Sequence, residues 1–204
     1  MRMIALALAA ALALCACKQT GARDEISYGV TGVAATDTLA MRAAPDANAT
    51  IVGTIPHNGE GIVATGGTTP GGWSEVAYQG KRGWVNARFL GIGNDPATRL
   101  PALLECLGAE PFWRITLSPG AARAELLFSE REYNYRLTHA ASAMGRPGIW
   151  SIKGSDGQTE ISLTVQRESC SDSMSDIDYP YSSVALVPPV AEMIVGCCRP
   201  HQPR

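Results

Sequence analysis

The sequence predicts an all-β protein made of two small antiparallel barrels in succession. Its 204 residues include 21 Gly and 13 Pro, and stretches with helical periodicity are scarce. Both features favour short strands joined by turns. Several segments, such as 159–165, alternate apolar and polar residues with period two, as strands with one buried face do. The stretch 93–102 is rich in residues that interrupt helices and strands, and it is predicted to be a linker. It divides the chain into units at 28–92 and 103–200.

The first 17 residues predict an exported lipoprotein. Arg2 precedes an apolar run of about a dozen residues, which is short for a bilayer span. The run ends in Leu14-Cys15-Ala16-Cys17, which resembles the lipobox of bacterial lipoproteins with Cys17 as the lipidated residue. An ordinary secretory signal is the alternative. Such an anchor implies contact with a membrane, and residues 18–27 read as a short polar tether.

The residue after Cys17 favours one membrane over the other. It is Lys18, whereas the Asp that often retains such lipoproteins in the inner membrane is absent from this position. We therefore expect a periplasmic protein that is lipid-anchored to the outer membrane.

The first unit is centred on Trp73–Leu90. Its first part alternates as a strand, Gln79-Gly80-Lys81 forms a tight turn, and the segment around Trp84 returns as a second strand. Ala87–Leu90 is predicted to be a short helical turn. The inward positions expected in this unit include Val30, Val33, Leu39, Met41, Ile51, Val52 and Ile55.

These motifs resemble a known family. Thr38-Leu39-x-Met41-Arg42-x-x-Pro45, Ile51-x-Gly53-x-Ile55 and Trp73-x-x-Val76-x-Tyr78-x-Gly80-x-x-Gly83-Trp84-Val85 are similar to the bacterial SH3-like domain. The resemblance covers residues 28–92. It implies a small SH3-like barrel, which in exported proteins is often an accessory module that binds the cell wall or peptides.

The aromatic residues of this unit form the predicted partner-binding site. Trp73, Tyr78 and Trp84 are more large rings than so small a core needs. We expect one or two of them in the core and another in a groove, as rigid aromatics are used in peptide-binding folds. Arg42 and Lys81 would supply charge beside it.

The second unit shows seven segments with strand character between Phe112 and Cys198, and seven or eight such strands predict a closed or nearly closed barrel. Ala121–Glu132 has helical propensity, but we predict strand and turn there. The motifs Glu110-Pro111-Phe112-Trp113, Cys170-x-Asp172-x-Met174-Ser175-Asp176 and Gly196-Cys197-Cys198 resemble a family of uncharacterised bacterial lipoproteins and membrane-associated proteins. That resemblance implies architecture and no function.

Four cysteines remain once Cys15 and Cys17 are set aside, and in an exported chain an even number implies disulfides. Neighbouring strand residues point to opposite faces, so Cys197 and Cys198 should have different partners. We favour Cys106–Cys198 and Cys170–Cys197 over the swapped pairing. A zinc site and a redox-active pair are the alternatives, but the sequence lacks any C-x-x-C spacing.

Other chemistry has little support in the sequence. The charge is nearly balanced, with 17 Lys and Arg against 19 Asp and Glu, which argues against a nucleic-acid binder. The chain has no G-x-S-x-G, H-E-x-x-H or P-loop motif, and its three His lie far apart. Asp172, Asp176 and Asp178 do not follow a calcium-loop spacing, so we interpret them as loop-stabilising residues.

We therefore expect a non-enzymatic protein without catalytic residues, metal or cofactor. The leading hypothesis is a binding module that contacts peptidoglycan or an envelope protein. The alternative is a small-molecule carrier or inhibitor that uses the C-terminal barrel.

Overall fold

The computed structural model describes residues 26–188 and 192–202. The regular secondary structure of the described residues consists of strands and two three-residue 3-10 helices, so the predicted all-β class is confirmed. Within these residues no helix has the length and hydropathy to cross a membrane. The predicted signal, Cys17 and residues 18–25 of the tether lie outside the described residues.

The N-terminal unit is a curled sheet. Its strands are β1 (Ser27–Val30), β2 (Thr38–Arg42), β3 (Ile51–Pro56), β4 (Ile62–Thr68), β5 (Trp73–Tyr78), β6 (Lys81–Asn86), β7 (Leu90–Ile92) and β8 (Leu100–Pro101), in the spatial order β3-β2-β6-β5-β4-β1-β7-β8. The predicted helical turn is the 3-10 helix Ala87–Phe89, and the side chain of Asn86 caps it by accepting a hydrogen bond from the Arg88 amide.

The β5–β6 hairpin has the turn that its sequence predicts. Gln79 and Gly80 have φ angles of 47° and 78°, and two successive positive φ values are typical of a type I′ turn, which matches the twist of the flanking strands. The turn fixes the register so that Tyr78 lies directly opposite Lys81. Ser74, Val76 and Val85 face the core of the unit, and the side chain of Trp73 lies on the other face of β5.

The C-terminal unit is a closed antiparallel barrel of eight strands. Its strands are β9 (Leu104–Gly108), β10 (Trp113–Ser118), β11 (Arg123–Phe128), β12 (Arg131–Ser142), β13 (Ile149–Ser155), β14 (Glu160–Cys170), β15 (Tyr179–Val187) and β16 (Glu192–Pro200), and β9 closes the barrel between β16 and β10. Seven of these were predicted and β9 was missed. Within Ala121–Glu132, residues 123–132 are strand and turn, as predicted, and the first two residues end the 3-10 helix Gly120–Ala122.

The barrel is held at its closing seam by covalent bonds. Cys106 of β9 and Cys198 of β16 lie directly opposite each other and form a disulfide, and a second disulfide joins Cys170 to Cys197. This is the pairing favoured above. Cys198 points into the core while Cys197 points outward to Cys170, which is what strand alternation requires of neighbouring residues.

The two units pack against each other at one end of the barrel. The connection that follows β10, which includes the 3-10 helix Gly120–Ala122, contacts β4. Thr68 is the centre of this contact, because its Oγ1 lies 2.8 Å from Ser118 Oγ and accepts a hydrogen bond of 3.0 Å from the Gly120 amide. We call this end of the barrel proximal. The β9–β10, β11–β12, β13–β14 and β15–β16 turns all lie at the opposite, distal end.

Candidate functional site

A groove of about 370 Å³ lies on the N-terminal unit between β3 and the β5–β6 turn. Its walls are the run Ile51–Thr54 on one side and Tyr78, Gln79 and Lys81 on the other, with Met41 between them. Because the turn places Tyr78 opposite Lys81, a phenol and an ammonium group stand side by side at the groove. The Tyr78 hydroxyl accepts a hydrogen bond of 3.2 Å from Gln79 Nε2 and keeps its own proton to donate.

The other wall of the groove carries two exposed aliphatic side chains. Ile51 is 53% exposed and Val52 is 41% exposed. Both were predicted to point inward, and that prediction is wrong. The β2–β3 register shifts between Met41 and Arg42, so β3 holds an extra residue there and its alternation is interrupted.

The sequence did contain a signal for this. Ile51 and Val52 are consecutive, and consecutive strand residues point to opposite faces unless a bulge intervenes. In a regular strand, one of them therefore had to face outward. Ile55, which follows the bulge, is buried as predicted.

The structure divides the five predicted partner-binding residues among three places. Tyr78 and Lys81 line the groove. Arg42 and Trp84 lie opposite each other where β2 meets β6, outside the groove lining, and Arg42 Nη1 donates a hydrogen bond of 2.7 Å to the Ala49 carbonyl. Trp73 lies at the far end of β5, opposite Asn86.

The three aromatic side chains share one property. Trp73, Tyr78 and Trp84 are all half-buried, so the expected division into core and exposed rings does not appear. Tyr78 is the member of the set whose accessible edge lies in the groove, and it also packs against the core.

Residues 93–102, predicted as a linker, contain a structural cation. The Arg99 side chain is fully buried and donates hydrogen bonds to the carbonyls of Val30 and Gly93 and to Glu60 Oε1, the last at 2.8 Å. Burial lowers the pKa of the Arg99 guanidinium, and the Glu60 carboxylate opposes that shift. A Cβ on Gly29 would overlap this side chain, so a glycine is required beside it.

A polar cleft lies next to this ion pair, between the two units. It has a volume of about 370 Å³, and its lining includes Glu60, Asn94, His139 and Ser142. Because the Arg99 guanidinium is already bonded to three oxygens, we assign it the role of fixing the connection between the units.

The Asp172 loop is a self-contained structure. Asp172 Oδ1 accepts hydrogen bonds from the amides of Met174 and Ser175 at 3.0 and 2.9 Å, and Tyr179 donates its hydroxyl proton to Asp172 Oδ2 at 3.1 Å. The backbone donors hold the pKa of the Asp172 carboxyl at about 2. This geometry agrees with a loop-stabilising role. Among the described residues there is no cluster of three or more His, Cys, Asp or Glu that could hold a metal ion.

The comparison with known families bears on the N-terminal unit. Residues 37–91 match the family model described as "Bacterial SH3 domain". No curated protein and no solved structure matches the chain significantly. The resemblance of the C-terminal barrel to a lipoprotein family receives no support from these comparisons and stays a prediction. Residues 37–91, which contain the groove, are therefore similar to a bacterial SH3 domain.

Proposed function

We propose that the protein is a non-enzymatic binding module of the bacterial envelope, anchored by lipid on Cys17, whose SH3 domain binds peptidoglycan. A bacterial SH3 domain suggests a binding module, and cell-wall peptides are a ligand class consistent with it. The observation that carries the proposal is the groove beside Tyr78 and Lys81. It combines two exposed aliphatic side chains with one cation and one phenol.

The groove favours a short extended peptide as its ligand. Ile51 and Val52 offer contact to small apolar side chains, such as methyl groups, and the Lys81 ammonium would pair with a carboxylate. The Tyr78 hydroxyl would donate to a peptide carbonyl. Peptidoglycan stem peptides carry methyl groups, carbonyls and free carboxylates on one short chain.

Retention by purified sacculi tests the proposal. The full chain should co-sediment with sacculi, and Lys81→Glu should weaken retention about tenfold or more, because a like charge then faces the carboxylate. Lys153→Glu makes the same charge change at an exposed position on the second barrel and should be retained like the wild type. Val52→Ser tests the apolar wall without a change in charge and should weaken retention by a smaller factor.

The outcomes separate wall binding from protein binding. Wild-type chain that is not retained, under conditions that retain a control wall binder, would remove peptidoglycan as the ligand. Equal loss in Lys81→Glu and Lys153→Glu would move the binding away from the groove. If sacculi do not retain the protein, in-cell photo-crosslinking from position 81 should identify an envelope protein as the partner.

The anchor is tested separately from the ligand. Cys17→Ser should release the protein from membranes, whereas Cys15→Ser, a matched change two residues away, should leave it membrane-bound. Lys18→Asp should move the protein from the outer to the inner membrane fraction. A wild type that is absent from the membrane fraction would favour an ordinary secretory signal, and unchanged membrane association of Cys17→Ser would contradict a lipid anchor on this residue.

The carrier alternative gains no support from the C-terminal barrel. Inward positions of its strands hold large side chains that are almost fully buried, including Trp113, Tyr135 and Trp150. An eight-stranded barrel is just wide enough for side chains to fill. We therefore do not assign a ligand to its interior.

A further inference from the structure

Two strands each have an unpaired edge, and both edges line the polar cleft between the two units. β12 pairs with β11 only as far as Arg136, and beyond that residue it pairs with β13 alone. Thr138–Ser142, five consecutive residues of this singly paired stretch, line the cleft. Because successive residues of a strand point to opposite faces, a lining of consecutive residues places the cleft along the edge of β12.

The opposite wall of the cleft has the same property. Ser27 and Tyr28 of β1 pair with β4 on one side, whereas the pairing of β1 with β7 on its other side begins only at Gly29. β7 ends at Ile92, and the next residue, Gly93, lines the cleft together with Ser27 and Tyr28. An extended segment that continued in the direction of β7 would therefore lie along the open edge of β1.

The backbone groups of both edges are open to a partner. Within the part of the chain that the structure describes, no backbone–backbone hydrogen bond outside the strand pairs involves residues 26–28 or 138–142. After a bulge at Thr138, the pairing of His139–Ser142 with β13 is regular, so every second residue there turns its N–H and C=O away from β13. A row of unpaired N–H and C=O groups is a template for a further strand.

The side chains that line the cleft are mostly small. They include Gly61, Gly93, Ala140, Ala141 and Ser142. Glycine permits a close approach of its backbone to a ligand, and alanine and serine add little bulk. The cleft has a volume of about 370 Å³, which lies within the range of about 300–1,000 Å³ for ligand pockets. A short stretch of main chain with small side chains therefore fits the cleft in size.

The charged groups of the cleft nearly cancel. They are Glu60, Arg99 and His139. The fully buried Arg99 guanidinium is paired with the Glu60 carboxylate at 2.8 Å, so this pair adds no net charge. A neutral main chain, in contrast to a strongly charged ligand, would find complementary N–H and C=O groups on both walls. We propose that the cleft binds an extended peptide with small side chains, which adds a strand between β1 and β12.

The added strand would be a second contact of the protein, separate from the SH3 groove. The cleft and the groove share no lining residue, so peptide binding in the cleft goes beyond the proposed binding of peptidoglycan. An inserted strand would pair with both units at once. Because it binds only the folded protein, it should also raise the melting temperature.

A display library of random heptapeptides, selected on the immobilised full chain, supplies the probe. The library should yield peptides with small side chains that bind Lys81→Glu as tightly as the wild type, because the SH3 groove is not involved. Ser27→Trp places a large ring at the wall of the cleft and should weaken their binding about tenfold or more in fluorescence polarisation. Thr164→Trp places the same ring at an exposed position of β14 and should bind like the wild type.

Two measurements on the wild type do not depend on the folding of a variant. N-methylation of a central amide of a selected peptide should weaken binding about tenfold or more, whereas exchange of Ala for Ser at the same position should matter little, because the main chain makes the contacts. Hydrogen exchange of backbone amides should slow on both walls when the peptide is bound, at Ser27 and Tyr28 and within Thr138–Ser142.

Three outcomes would overturn the proposal. The first is a library that yields no peptide bound equally by the wild type and Lys81→Glu. The second is equal binding of the selected peptides by Ser27→Trp and Thr164→Trp. The third is slowed hydrogen exchange on neither wall or on one wall alone, which would exclude a strand inserted between β1 and β12.

Discussion

Removing the two disulfides one at a time measures how much the barrel depends on its closing seam. The perturbation is Cys106→Ala with Cys198→Ala in one variant, and Cys170→Ala with Cys197→Ala in the other. Each variant loses one bridge and keeps the other. The pairs differ in sequence separation, 92 against 27 residues, and in burial, because Cys106 and Cys198 are fully buried.

The sequence separations give the expected magnitudes. In the chain-entropy model, loops of these lengths correspond to about 4.6 kcal/mol for Cys106–Cys198 and about 3.6 kcal/mol for Cys170–Cys197. The shorter bridge lies inside the longer loop and reduces its effective length, which lowers the first value to about 4.3 kcal/mol. Each fully buried sulfur removed costs about 1 kcal/mol more, as a buried methylene does.

The first variant should therefore lose about 6 kcal/mol of unfolding free energy and the second about 4 to 5 kcal/mol. Urea unfolding measures both. Because the bridges restrict the unfolded chain, the m-value should also rise in each variant, and it should rise more when the longer loop is opened. A Cys106–Cys198 variant that is the more stable of the two, with an unchanged m-value, would refute the reasoning.

Three further predictions concern individual side-chain and backbone contacts. Gly120→Ala would drive a methyl group into the β4 backbone and should destabilise the protein by about 2 kcal/mol, while Gly67→Ala, whose Cβ meets open space, should be nearly neutral in thermal unfolding. Arg99→Met leaves two carbonyls and Glu60 without their donor and should cost about 3 kcal/mol in urea unfolding; a loss below about 1 kcal/mol would contradict the assigned role. The Asp172 pKa is about 2, below the unfolded value, so the carboxylate stabilises the fold above about pH 4 and this contribution is lost as the pH falls toward 2. The difference in melting temperature between wild type and Asp172→Ala should therefore be full at pH 7 and shrink at pH 2.5; a constant difference would contradict it.

The sequence predicted most of the fold because its signals are local. Turn residues such as Gln79-Gly80 fix a hairpin and its register, and alternating residues assign a face to each strand. The closed barrel followed from the number of strands. The prediction that Ile51 and Val52 point inward was wrong. A single-residue bulge depends on the pairing with another strand, so the sequence of the bulged strand gives only a weak signal for it.

The candidate site was only partly predictable for a related reason. Tyr78 and Lys81 could be placed together because one turn joins them, but the opposite wall of the groove comes from β3, far away in sequence. Arg99 is a similar case, because a stretch rich in Gly, Asn, Asp and Pro gave no sign that one cation would be buried among backbone carbonyls. Long-range packing decided both.

The position of Ile26 limits how far the folded units can lie from the proposed anchor. Ile26 borders the cleft between the two units, nine residues after Cys17. Nine extended residues reach at most about 30 Å, which is close to the length of the barrel strands. If Cys17 carries the lipid, Ile26 and the cleft that it borders must stay within about 30 Å of the membrane surface.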